Sequence, residues 1–295
     1  MLNVSLIMLC ILLYTLQTLL FKMYADRYPG NEKYTTFVYV SVCGLVASVI
    51  SFAVGGFSYE FNLTTFILGS INAGMYFLYY LFIYHASKNG PYSVVMIFSI
   101  IGGISLPVIS DMITLDKIPS VWKVICLLVI FAAAYLVNKR DGESGGVKNK
   151  KVFFLSCFGL LIANGAYGSL LNIQQTYTNP SQNDEMLIYS AFFAALFSLI
   201  FIIVKNGKGT LTVFKQTKSS LTFMISAASV AATAVNILLI ITEYIDITLL
   251  WTFCNSGVVV LSLIASAIFF KEKLSKLNLV GCAVIVATLV LISYT

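Results

Sequence analysis

DITLLWTFCNSGVVVLSLIASAIFF (Asp246 to Phe270), KEKLSK (Lys271 to Lys276) and LNLVGCAVIVATLVLISYT (Leu277 to Thr295) follow one another without a break, and their reading decides the fold. Each apolar segment is close to the roughly 20 residues that a helix needs to cross a bilayer core. Between them lie Lys271, Glu272, Lys273 and Lys276, which belong at a membrane face and not in hydrocarbon. The run therefore reads as a transmembrane helical hairpin.

An earlier stretch has the same design: NGPYSVVMIFSIIGGISLPVISDMI, TLDKIP and SVWKVICLLVIFAAAYLVN occupy residues 89–138. A shift of 156 residues lays Asp116-Lys117-Ile118 on Glu272-Lys273-Leu274. Shifts of 151 and 157 lay Thr18-Leu19-Leu20 on Ser169-Leu170-Leu171, Pro29 on Pro180, and Phe66-Ile67-Leu68 on Phe223-Met224-Ile225. The chain reads as an internal repeat.

Composition agrees. Of the residues, 59% are hydrophobic and 10% charged, against about 25% charged in a soluble domain. The class is an all-α polytopic membrane protein, in contact with a lipid bilayer and located in the cell membrane. The net charge of +6 is spread over short loops between apolar runs, a pattern of membrane orientation and not of a nucleic-acid face. Six cysteines (Cys10, Cys43, Cys126, Cys157, Cys254, Cys282) fall in apolar segments without metal-ligand spacing and read as small hydrophobes. The first segment, MLNVSLIMLCILLYTLQTLLF, lacks a basic leader and a small-residue cleavage site, and is expected to be a retained helix.

Ten helices are expected, at roughly 2–24, 35–55, 63–86, 91–113 and 119–138, then 152–175, 185–204, 219–243, 247–270 and 276–294. The polar linker KRDGESGGVKNKK separates a first half, residues 1–138, from a second, residues 152–295, and itself covers 139–151. Five helices per half is an odd number, so the second half enters the membrane from the opposite face. That is an inverted-topology repeat, as in many secondary transporters.

The order of elements, the stretch IYHASKNGPYSVVMIFSIIGGISLPVI and the ending FFKEKLSKLNLVGCAVIVATLVLIS resemble the drug/metabolite transporter superfamily, specifically its EamA-like members. A Gly-Glu-x-Leu loop commonly joins the last two helices of each half in that family. Here Glu272 and Leu274 match it, Lys271 stands in place of the glycine, and the first half offers Asp116 and Ile118. The resemblance covers nearly the whole chain and implies a ten-helix carrier with a central solute cavity.

No catalytic constellation is present, so the chain is not expected to be an enzyme. The single histidine, His85, has no triad partner on its helix, and no phosphate-binding loop suggests ATP or any other cofactor. Polar side chains within apolar helices are the conspicuous feature. Tyr14 and Gln17 lie in the first helix, Asn72 and Tyr76 in the third, Asn164 and Tyr167 in the sixth, Asn236 in the eighth, and Trp251 and Asn255 in the ninth. Amides in hydrocarbon need partners, so these residues are expected to face the bundle interior, either bridging helices or lining a substrate cavity. Gly102, Gly103 and Pro107 soften the fourth helix and are candidates for a gating hinge, beside the plainer reading of a static kink.

No carboxylate sits at mid-helix, and no lysine or arginine does, which argues against phosphorylated substrates. The expected substrate is a small neutral, zwitterionic or aromatic metabolite, such as an amino acid. Alternatives are export of organic cations and, in a different class, a non-transporting sensor or assembly partner. A single chain carries both halves, so a monomer or a homodimer is expected. Loops after the odd-numbered helices hold 16 of the 18 Lys and Arg residues, while the other set holds only Lys117 and Lys123. Short basic loops stay in the cytoplasm. The linker is therefore expected inside and both termini outside, although EamA-like carriers more usually keep their termini inside.

Overall fold

The computed structural model describes residues 2–114, 120–138, 147–177, 182–242, 247–272 and 276–292. Among these residues the regular structure is helical, without a strand. In chain order the helices are α1 (Leu2–Arg27), α2 (Thr35–Val54), α3 (Leu63–Asn89), α4 (Tyr92–Thr114) and α5 (Val121–Asn138). They continue as α6 (Lys150–Tyr177), α7 (Asn183–Asn206), the short α8 (Thr210–Gln216), α9 (Leu221–Thr242), α10 (Ile247–Phe269) and α11 (Lys276–Ile292). The short α8 lies where an unbroken loop was expected.

Six helical stretches are long and apolar enough to cross a bilayer, and the last of them, Asn183–Leu238, contains both α7 and most of α9. Shorter apolar helical pieces lie within α5, α10 and α11. Apolar side chains cover the outside: Leu155 is 67% exposed and Leu128 65%, and Val49, Ile71, Phe158 and Ile200 are exposed as well. Polar side chains go inward, with Gln17, Asn72, Gln174, Asn236 and many serines buried. A soluble bundle has the reverse arrangement, so the architecture is that of an α-helical membrane protein.

Many of the buried hydroxyls are satisfied locally. Thr15, Ser105, Ser169, Ser190, Ser198 and Thr288 each donate to the carbonyl four residues earlier, at 2.7–2.9 Å. Such back-bonding lets a hydroxyl sit in an apolar interior without a partner on another helix. The helix starts are capped where loops permit. Asn62 accepts from the Thr64 and Thr65 amides ahead of α3, and Asn149 accepts from Val152 at the start of α6.

Two sets of loops form. At one end the backbone amide of Lys148 donates to the Asn89 carbonyl at 2.8 Å, and Lys88 pairs with Glu32 at 3.6 Å. These bonds join the α1–α2, α3–α4 and α5–α6 connections, and this is the lysine-rich end. At the other end Glu60 and Glu185 meet, and Tyr59 meets Tyr189, joining the α2–α3 and α6–α7 connections.

One expectation about charge needs correction. Lys22, at the end of the expected first helix, is grouped with the cations of the following loop, but it is buried, only 8% exposed, with a further turn of α1 to Arg27 beyond it. A carbonyl partner and two aromatic faces, described below, hold it there. Of the linker, residues 139–146 are outside the described residues, as are Asp116, Lys117, Glu243 and Asp246.

Candidate functional site

The interior of the bundle is built on tyrosine. Phe21 packs against Tyr39 at 4.6 Å and Tyr80 at 5.2 Å between ring centroids, and Tyr39 meets Tyr80 at 4.8 Å. Tyr80 carries the contact inward to Tyr76 and Tyr79, both at 5.1 Å, and Tyr76 faces Tyr167 of α6 at 6.3 Å. The tilted and edge-on geometries are those aromatic quadrupoles prefer.

Tyr14 and Tyr167 are, like Tyr76 and Tyr79, half-buried. Tyr14 lies close to Tyr79, Tyr167 and Cys254, which brings α1, α3, α6 and α10 together at this level. Tyr14 is twelve residues from the start of α1, Tyr76 thirteen from the start of α3, and Tyr167 ten from the end of α6. At 1.5 Å per residue all three sit about 15–20 Å from the lysine-poor end, near mid-depth.

The amides have different surroundings. Gln17 donates to the Tyr80 hydroxyl at 2.8 Å and ties α1 to α3. Asn164 donates to the Ser99 carbonyl at 2.7 Å and ties α6 to α4, leaving its side chain half-buried beside Tyr167. Asn236 donates to Ser51 at 3.2 Å and to the Ala232 carbonyl at 2.8 Å, while its own carbonyl oxygen has no partner. Asn72 is fully buried, and neither atom of its amide is bonded. Asn255 is half-buried next to Cys254 with its amide nitrogen unbonded. Trp251 belongs to α10, but its side chain is outside the described residues.

The structure thus brings Tyr14, Tyr76 and Tyr167 into one cluster, with Asn164 one turn before Tyr167 on α6. Asn72 and Asn236 are sealed against neighbouring helices. Tyr79, not anticipated from sequence, belongs with the first group, and its place three residues after Tyr76 in α3 was the available signal.

Gly102 and Gly103 face α6. A methyl group on Gly102 would run into the Leu161 carbonyl, and one on Gly165 into the Gly102 carbonyl, so the two backbones touch there. A methyl group on Gly103 would come within 2.9 Å of the Asn164 amide nitrogen. Pro107 lies inside α4, and its ring is 3.6 Å from where a β-carbon on Gly168 would be.

A second polar cluster closes the lysine-rich end. Glu272, in the α10–α11 loop, accepts from the Tyr92 amide at 2.6 Å, from the Ser93 amide at 3.4 Å and from the Ser93 hydroxyl at 2.8 Å. Tyr92 in turn bonds Thr18 of α1 at 2.6 Å. Lys22 donates to the Ser87 carbonyl at 3.3 Å, with its ammonium 4.6 Å from the Phe270 ring centre and 5.9 Å from that of Tyr92. At the opposite end Gln174 donates to Thr65, and Thr65 donates to Gln182, each at 3.0 Å. Among the described residues no group of His, Cys, Asp and Glu is arranged to hold a metal, and all six cysteines are free and buried.

Neither a family model nor a curated relative matches the chain by sequence. A solved structure described as "Crystal structure of protein" superposes with a TM-score of 0.64, covering 98% of this chain and 98% of its own, at 13% identity. At that identity the likeness speaks for the fold alone: the arrangement of helices over nearly the full chain is one that an experimentally determined protein adopts.

Proposed function

We propose that the protein is a secondary carrier of the EamA-like, drug/metabolite transporter type, moving a small neutral, zwitterionic or aromatic metabolite by alternating access. The observation that carries this reading is the mid-depth cluster of half-buried Tyr14, Tyr76, Tyr79 and Tyr167 with Asn164, which on this reading walls the substrate space. Aromatic walls with a few amides and no charged side chain suit a flat, weakly polar solute.

The packing supports two inverted five-helix halves, α1–α5 and α6–α11 without the short α8. Exchanging the halves maps the α1–α9 contact onto α6–α3, and α1–α10 onto α6–α4. It maps α2–α9 onto α7–α3 and α10–α11 onto α4–α5, while the α2–α7 and α5–α11 contacts map onto themselves. A two-fold relation between the halves produces such a pattern, and it surrounds the tyrosine cluster with helices from both.

Purified protein screened by thermal shift against amino acids and related metabolites should find a ligand. At a hundredfold excess over Kd such a ligand adds about 2.7 kcal/mol to apparent stability. Tyr14→Ala and Tyr167→Ala should each weaken that ligand by roughly tenfold, about 1.4 kcal/mol, in folded protein. Labelled ligand should then exchange across proteoliposomes. Binding without saturable exchange would instead mark a membrane sensor.

The four tyrosine faces also favour a second reading, export of organic cations, through cation–π attraction. In the same screen a quaternary ammonium or phosphonium probe would give the shift and the amino acids would not.

A further inference from the structure

Glu272 belongs to the second half of the chain, yet its carboxylate is spent on the first. It takes two of the open amides at the start of α4 and the Ser93 hydroxyl, where the positive end of a 23-residue helix favours an anion. Beside it, Lys22 of α1 is held between the Ser87 carbonyl and the Phe270 and Tyr92 rings. Asp26 and Glu272 supply opposite charge nearby. Tyr92 completes the cluster by bonding Thr18 of α1 at 2.6 Å. Three elements of the first half and the α10–α11 loop of the second are thus fastened at one end of the bundle, beyond the tyrosine cluster.

We propose that this cluster is the latch of the lysine-rich end: Glu272 holds the α10–α11 hairpin against α1 and α4, and its release opens that end of the central space. The proposal rests on the carrier reading above, and it adds which contacts must break. The bonds are of a kind suited to a latch. They are charge-assisted and lie at a membrane face, where water can replace the carboxylate at the α4 amides and solvate it once it leaves. When Glu272 departs with the hairpin, Phe270 goes with it, while Lys22 keeps the Ser87 carbonyl and the Tyr92 ring.

The test uses the full chain with its six native cysteines replaced and a reporter, Gly168→Cys. A β-carbon there meets only the Pro107 ring, at an ordinary 3.6 Å, and the site follows Tyr167. A membrane-impermeant maleimide is applied from the lysine-rich side, and labelling of the position-168 peptide is read by mass spectrometry. Glu272→Ala should raise the labelling rate about tenfold. Glu272→Gln, which keeps an acceptor oxygen but no charge, should fall between.

A second protein carries Ser93→Cys and Glu272→Cys with the same reporter. Oxidised, it should label slowly; reduced, it should label about tenfold faster, with the fold held constant by comparison within one polypeptide. Equal rates in the oxidised and reduced protein would overturn the latch, as would an unchanged rate in a folded Glu272→Ala protein. No substrate is needed in either arm. Failure of the latch is therefore separate from failure of the carrier reading, which the ligand screen and counterflow decide.

Discussion

Asn72 and Gln17 show how differently two buried amides behave. Gln17 has a hydroxyl partner on α3, while Asn72 has none for either amide atom. An unsatisfied buried amide costs about 1–3 kcal/mol, and a net hydrogen bond contributes about 1 kcal/mol. Asn72→Leu should therefore leave the melting temperature unchanged or raise it, whereas Gln17→Leu should lower stability by about 1 kcal/mol. Thermal melts of the two variants side by side check this, and a clear loss for Asn72→Leu would mean that the amide has a bonded role.

At the scale of elements, the α4–α6 crossing is governed by glycine. Gly102→Ala pushes a methyl group into the Leu161 carbonyl and should cost about 1–3 kcal/mol. Gly168→Ala meets only the Pro107 ring and should be nearly neutral. Expression and melting of the pair measure that contrast. Pro107 sits one turn beyond the crossing, inside α4, where a proline frees a carbonyl and favours a bend. If that bend serves gating, Pro107→Ala slows counterflow at least severalfold while ligand affinity stays within about twofold. Equal loss of protein yield and activity would make it a folding residue. The cap that Glu272 places on α4 is also an element-scale effect, of the order of 0.5–2 kcal/mol.

Over the whole molecule, charge divides by end. With buried Lys22 set aside, fifteen cations remain in the odd-numbered loops and the helix ends that flank them, against Lys117 and Lys123 in the other set. That ratio still favours placing the lysine-rich end in the cytoplasm. A cysteine introduced as Ser144→Cys in the cysteine-replaced background should resist an impermeant maleimide in intact cells and react in inverted vesicles. Reaction in intact cells would reverse the orientation and bring it into line with the usual EamA-like topology. The aromatic contacts of Arg27 with Phe223 and of Lys22 with Phe270 lie at this same end, where cationic heads and aromatic rings both find the interface favourable.

Helix placement was legible in the chain because hydrocarbon leaves no choice. Every backbone amide must be bonded within its own segment, so a run of about 20 apolar residues specifies a helix before any neighbour is known. The ends of α2, α4 and α10 accordingly fall within a residue or so of the expected positions, and the lysine clusters mark the loops. The inward tendency of Tyr14, Tyr76, Asn164 and Tyr167 was legible for the same reason. What sequence alone left open is which polar residues stay partly accessible and which are sealed, since Asn72 and Asn164 look alike along a helix. Only the crossing of α3 with α6 and α7 separates them. The partnership of Glu272 with the start of α4 spans 180 residues, and no local pattern encodes it. It exists because the tertiary fold sets an unbonded helix terminus beside a loop carboxylate, and each satisfies the other.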